Sequence, residues 1–181
     1  MAKKVEIPLE VSTRLINHGP VSLLTSAYQD QRNIMALAWL MPASHTPRYV
    51  AIAITPKRYS YELIQKGKEF VLNLPPVSFK EFMLKCGKCS GRNVDKFQEF
   101  KIKTLPAQKV SAPLVEDCVA HIECTLKEDT KAGDHRLLIG EIVAASADEG
   151  IVKPDGIVDI KKAKMLHHLG STSFGVMEKE V

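Results

Sequence analysis

Residues 55–60 read TPKRYS, which places Lys57 and Arg58 just before YELIQK. The pattern predicts a short helix over 61–66 that stops at Gly67, with Ser60 as its N-cap. A helix N-terminus carries N–H groups without partners and the positive end of the macrodipole, so cations are mildly disfavoured there. Two adjacent bases at that point imply that an anion comes to the same place. The other reading is that both side chains turn into solvent while Glu62 offsets them in the first turn.

Further residue types invite a chemical test. Cys86-Gly-Lys-Cys89 is a C-x-x-C, and His121 and Cys124 follow in HIEC. Zinc needs four ligands converging on one point, but on an extended strand His121 and Cys124 face opposite ways, so no metal site is expected. A redox dithiol at Cys86 and Cys89 lacks the βαβ context that usually accompanies one. Ser90-Gly91-Arg92 is a loop able to donate N–H groups to an anion or a ring, or an ordinary helix terminus. Asp134-His135 enters a long strand, where His135 is either a proton or hydrogen-bond donor near neutral pH or a surface histidine. Trp39 lines a flat-ligand pocket or anchors the core, and His167 and His168 suggest no mechanism. G-x-S-x-G, H-E-x-x-H, the P-loop and G-x-G-x-x-G are all absent from the sequence.

The elements that must position these residues are mostly strands. HGPVSLLTSAY (18–28), a polar turn at 29–33 and IMALAWL (34–40) form a hairpin. MPASHTP (41–47) reads as a loop held by two prolines, RYVAIAI (48–54) as a strand and EFVLNL (69–74) as another. The opening dozen residues predict a strand or an extended arm. Residues 78–100 carry Phe79, Phe82 and Met83 on one helical face, broken by Gly87 and Gly91. KIKTLPAQKV (101–110) alternates. CVAHIECTLKED (118–129) puts Cys118, Ala120, Ile122 and Cys124 on one face, with His121, Glu123 and Thr125 opposite. A turn at Gly133 leads into RLLIGEIVAASAD (136–148), where Gly140 marks a bulge or a close approach of backbones. A last short strand falls at GIVDI (156–160). Without regular βαβ alternation, the expectation is a mainly β chain with short helices, closed as a mostly antiparallel barrel.

Bulk properties fit one domain spanning residues 1–181. Hydrophobic residues make up 45% and charged residues 25%, ordinary values for a globular chain. The net charge of +4 favours small anions slightly and does not call for nucleic acid. No run approaches the roughly 18 apolar residues that span a bilayer, so no membrane partner is expected. MAKKVEIPLEV has no apolar stretch after its lysines. Together with free thiols rather than a disulfide framework, this points to the cytoplasm.

NIMALAWLMPAS, RYVAIAITPKRYSYELIQKGKEFVLNLP, CGKCSGRNVDKF, CVAHIECTL and AGDHRLLIGEIV stand in an order that resembles the flavin reductase-like, FMN-binding split-barrel family. The likeness runs from about residue 15 to the C-terminus, including HHLGSTSFG, and is greatest to the flavoredoxin and ferric-reductase-like branch. It implies a six-stranded antiparallel split barrel of Greek-key type and a homodimer with FMN near the interface. Asn33, Met35, Ala36, Leu37, Ala38 and Trp39, with Ser44, would border the flavin. Lys57, Arg58, Tyr59 and Ser60 would lie near its phosphate, with Cys89 and Ser90 closing over it. His135 would be the donor or orienting group at the reactive face. Cys89 itself reads as either a packing residue or a redox-active one. The implied activity is electron transfer from NAD(P)H or a protein donor to ferric iron, free flavin or a redox partner. A non-catalytic FMN carrier or storage module, and a related barrel binding haem, are the alternatives.

Overall fold

The computed structural model describes residues 2–180. In chain order the elements are α1 (Leu9–Ser12), β1 (Gly19–Pro20), β2 (Ser22–Tyr28), β3 (Gln31–Leu37), β4 (Leu40–His45), β5 (Arg48–Ile54), α2 (Tyr59–Gly67), β6 (Glu69–Leu74), α3 (Lys80–Lys88) and α4 (Lys96–Glu99). They continue with β7 (Thr104–Leu105), β8 (Leu114–Val115), β9 (Ala120–Ala132), β10 (His135–Ala147), α5 (Ile160–Ala163), β11 (His167–Gly170) and β12 (Ser173–Gly175).

The main sheet has seven strands in the order β3-β2-β6-β9-β10-β5-β4, one more than the six expected. Every pair in it is antiparallel. Strands β3 and β4 are its two edges, yet Ala38 and Trp39 alone connect them. A connection that short brings the edges together only if the sheet curls on itself. The core confirms the closure. Leu37 of β3, Leu24 of β2, Phe70 and Leu72 of β6, Leu138 of β10 and Ile52 of β5 belong to one buried cluster inside the curl. The edges are joined by that linker but do not pair, so the barrel is split.

Strand β2 is buried on both faces. Leu24 points into the barrel, while its neighbour Leu23 packs outward with Ile34, Met83, Cys86 and Phe97. That second cluster seats α3 and α4 against the outside of β2 and β3. Segment 101–117 covers another part of the wall, with only residues 104–105 and 114–115 paired as strands. Its backbone is held by buried side chains. Glu123 accepts from the N–H groups of Gln108 and Lys109 at 3.0 and 2.7 Å, and Asn73 accepts from Val115 at 2.8 Å.

Several expectations change here. Residues 41–47 are not a loop: β4 occupies 40–45, and Pro42 is tolerated because β4 is an edge strand whose register shifts between Pro42 and Ser44. The turn between β2 and β3 is Gln29–Asp30, so β3 begins at Gln31 and ends before Trp39. Helix α2 starts at Tyr59 with Arg58 as its N-cap, and Ser60 lies inside the first turn instead of capping it. The left-handed residue at its end is Lys68, at φ 58°, so Gly67 is still helical. Gly87 likewise stays within α3. Cys118 precedes β9 and packs outside the barrel, whereas Cys124 lies within it. Residues 156–160 form no strand, only a bridge from Val152 to Val158. The tail instead builds a three-stranded sheet, β1-β11-β12, and the opening residues include α1 rather than a strand. The Gly140 expectation holds. The register with β9 shifts there, and an added Cβ would lie 2.5 Å from Phe70 Cζ.

Candidate functional site

Two cavities lie along the chain on either side of Leu37. The first, about 430 Å³, is walled by Asn33, Met35 and Ala36 of β3, by Thr55, Lys57, Arg58 and Tyr59 at the start of α2, by Cys86, Gly87, Lys88, Cys89 and Ser90 at the end of α3, and by Lys96 of α4. The second, about 400 Å³, is apolar and includes Ile16, Ala38, Trp39, Leu40 and Met41.

The first cavity is built around the N-terminus of α2. No side-chain oxygen caps this nine-residue helix, so its first N–H groups face outward with the macrodipole behind them. Ser60 is fully buried below, and its Oγ accepts from Asn33 Nδ2 at 2.8 Å. This bond joins β3 to α2 across the cavity floor. Gly91 lies over Asn33 so closely that an added Cβ would sit 2.0 Å from Asn33 Oδ1. Arg92 turns away from the cavity. Its guanidinium bonds Glu62 and lies 5.1 Å over the Tyr59 ring, which ties the 90–92 loop to the first turn of α2. Hydrogen bonds from Lys66 and then Arg92 hold the Glu62 carboxyl down at about 2. The acidic residue of the first turn is therefore occupied elsewhere, and Lys57 and Arg58 carry no ion pair among the described residues.

Cys86 and Cys89 share this wall. Burial pushes the Cys86 thiol up to about 11, and its Sγ donates to Ile34 O at 3.4 Å. Cys89 is half-buried, with its Sγ 3.7 Å from Lys85 O. His121 and Cys124 face opposite ways on β9: His121 Nε2 is 2.9 Å from Val115 O, and Cys124 lies in the barrel core.

Of the residues singled out in the sequence, Asn33, Met35, Ala36, Lys57, Arg58, Tyr59, Cys89 and Ser90 come together in the first cavity. Ser60 supports it from below. Leu37 points into the barrel core. Ala38 and Trp39 line the second cavity instead. Ser44 lies opposite Tyr49 in the β4–β5 ladder and lines neither. The His135 ring packs on Trp39 at 4.8 Å between centroids, and its Nδ1 is 2.8 Å from Asp134 Oδ1. The Asp134 carboxyl is held below its usual range by His135 first, with a smaller contribution from Lys57. Sequence reasoning missed Thr55, Cys86, Lys88 and Lys96 as wall residues. All four stood inside the quoted motifs, but nothing in the pattern distinguishes a buried Lys96 from a surface lysine.

Comparison with known proteins places the fold. Residues 15–168 match the family model described as "Flavin reductase like domain". An uncharacterized protein, YddH, of Escherichia coli (strain K12) is 37% identical over 186 residues, covering 100% of this chain and 98% of that protein. The flavoredoxin crystal structure from Methanosarcina acetivorans superposes with a TM-score of 0.86 at 26% identity, covering 99% of this chain and 94% of that one. An FMN-binding protein from Thermus thermophilus with bound 1-cyclohex-2-enone shares the fold, with a TM-score of 0.85 at 24% identity over 100% of this chain and 98% of that one.

Proposed function

Since the chain belongs to the flavin reductase like domain family, we propose that it is an FMN-binding flavoprotein oxidoreductase. It would take electrons from NAD(P)H or a protein donor and pass them to an acceptor such as ferric iron, free flavin or a redox partner. The observation that carries this reading is the composition of the first cavity: basic residues, an uncapped helix N-terminus and, among the described residues, no Asp or Glu on the wall. Such a donor set suits a phosphate-bearing ligand. The names of two structural neighbours, a flavoredoxin and an FMN-binding protein, support the same ligand.

In this reading Lys57, Arg58 and the first N–H groups of α2 take the phosphate. The β3 residues Asn33, Met35 and Ala36, with Ser90, border the ring. Trp39 and His135 form a tilted ring pair beyond it, with His135 as the donor or orienting group toward the second substrate. Bound FMN would supply the electron-transfer chemistry itself, which leaves the protein to bind, orient and tune it.

We also read the protein as a homodimer. Ile16, Trp39 and Met41 are 83, 44 and 59% exposed, and they line one apolar cavity. Apolar side chains gathered on one surface mark an interaction face, and a second copy is the occupant that this reading assigns.

Anaerobic mixing of the FMN-loaded protein with NADH or NADPH tests the activity. Bleaching of the flavin absorbance, repeated on each addition of acceptor, is the expected result. Bleaching by dithionite or a reduced protein alone would make it a carrier. Failure to bind FMN would end the reading.

A further inference from the structure

Lys57, Arg58, Lys88 and Lys96 line the first cavity, and among the described residues no carboxylate does. Three of the four reach solvent. Lys96 does not: it is 4% exposed. Its Nζ donates to the carbonyls of Cys86 at 2.9 Å and Ile34 at 3.0 Å, and lies 4.0 Å from Cys86 Sγ. No Asp or Glu pairs with it among the described residues. Burying a cation without a counter-charge is costly, and carbonyl dipoles bring no net negative charge. The neighbouring thiol does not supply it either, because burial keeps Cys86 protonated at neutral pH. The fold therefore keeps a buried lysine Nζ beside the cavity, held by carbonyl oxygens, with no carboxylate of the described chain facing it.

In the FMN reading Lys57 and Arg58 serve the phosphate, which leaves Lys96 to answer a different charge. Resting on the FMN reading above, we propose that Lys96 is a tuning residue whose buried ammonium favours the reduced, negatively charged ring over the oxidised, neutral one. The charge balance is simple. A hydride leaves a reduced nicotinamide, which becomes positively charged, and joins the ring, which becomes an anion with no further proton. In a site sheltered from water, a cation already in place stabilises that anion without rearrangement. Lys96 acts through its field and through the β3 edge that it holds, not by direct contact.

The test is the midpoint potential of bound FMN in the wild-type protein and in K96Q, K96M and K96R. Gln keeps a donor toward the two carbonyls and removes the charge. In K96Q the preference for reduced over oxidised FMN should fall about tenfold, whatever the change in affinity for the oxidised form. That equals a potential about 30 mV more negative for a two-electron couple. K96R should hold the wild-type value. Melting of the apoprotein separates a structural loss from an electrical one. Should the neutral variants not fold, the wild-type protein decides alone: in mildly acidic solution its flavin should take up one proton per two electrons. The cavity wall has no histidine or carboxylate whose own titration would imitate this. An unchanged potential in folded K96Q and K96M, an equal shift in K96R, or uptake of two protons by the wild type would each overturn the proposal. Absence of FMN binding in the wild type would instead remove the functional reading beneath it.

Discussion

Gly91 sits where no side chain fits, with Asn33 Oδ1 2.0 Å from any added Cβ. Gly91→Ala must push the Asn33 amide off Ser60, so we expect a loss of about 1–3 kcal/mol of stability in chemical denaturation, with weaker FMN binding in titration. Lys57 and Arg58 give a second prediction. Replacing both with alanine should weaken FMN binding by more than one decade, since each charge-assisted hydrogen bond contributes about 1.5–3 kcal/mol. Riboflavin, which lacks the phosphate, should bind nearly as before, and equal losses for both ligands would place the phosphate elsewhere. The thiols make a third case. Burial raises the pKa values of Cys86, Cys118 and Cys124, whereas Cys89 is half-buried. A thiol reagent should therefore modify Cys89 rapidly in the native protein and all four only after unfolding. Residues of this kind differ in how readily the sequence shows them. Lys57 and Arg58 stood out because charge at a helix start is unusual. Lys96 did not, because burial is a tertiary property that its neighbours do not announce.

Elements set the next scale, and α2 is the clearest case. Its first-turn Glu62 is drawn to Lys66 and Arg92, which lowers its folded pKa to about 2. The stabilisation is complete above the unfolded value of 4.5 and is lost as pH falls toward about 2. The stability difference between wild type and E62Q in urea should thus be constant above pH 4.5 and vanish near the lower value. Both partners of Glu62 are exposed, so added salt should shrink it as well. In β10, Gly140→Ala should destabilise by about 1–3 kcal/mol, because the new methyl meets Phe70 and Cys124. Strands β2, β5, β6, β9 and β10 were legible from their apolar patterns and the Gly133 turn. Strand β4 was not, because Pro42 reads as a loop signal until its edge position is known. The β1-β11-β12 sheet was hidden by its short, mixed strands.

At the scale of the whole molecule, the apolar face around Ile16 and Met41 should govern assembly. Ile16→Glu together with Met41→Glu should turn a dimer into a monomer in sedimentation, with circular dichroism unchanged. A wild type that sediments as a monomer would refute the homodimer. The overall class, a mainly antiparallel barrel with short helices, was legible because consecutive strand patterns leave few other closures. The division of the expected ligand-bordering stretch between two cavities was not. Period-two alternation tells which way Leu37 points, but not that the chain crosses from the lining of one cavity to that of the other just after it. That crossing has a mechanical consequence. Ala38 and Trp39 are the stitch in a hoop whose ends do not bond, so the length of that stitch sets how far the seam can gape. Slack introduced there would leave every ladder of the sheet intact, yet it would let the basic chamber and the greasy face drift out of alignment.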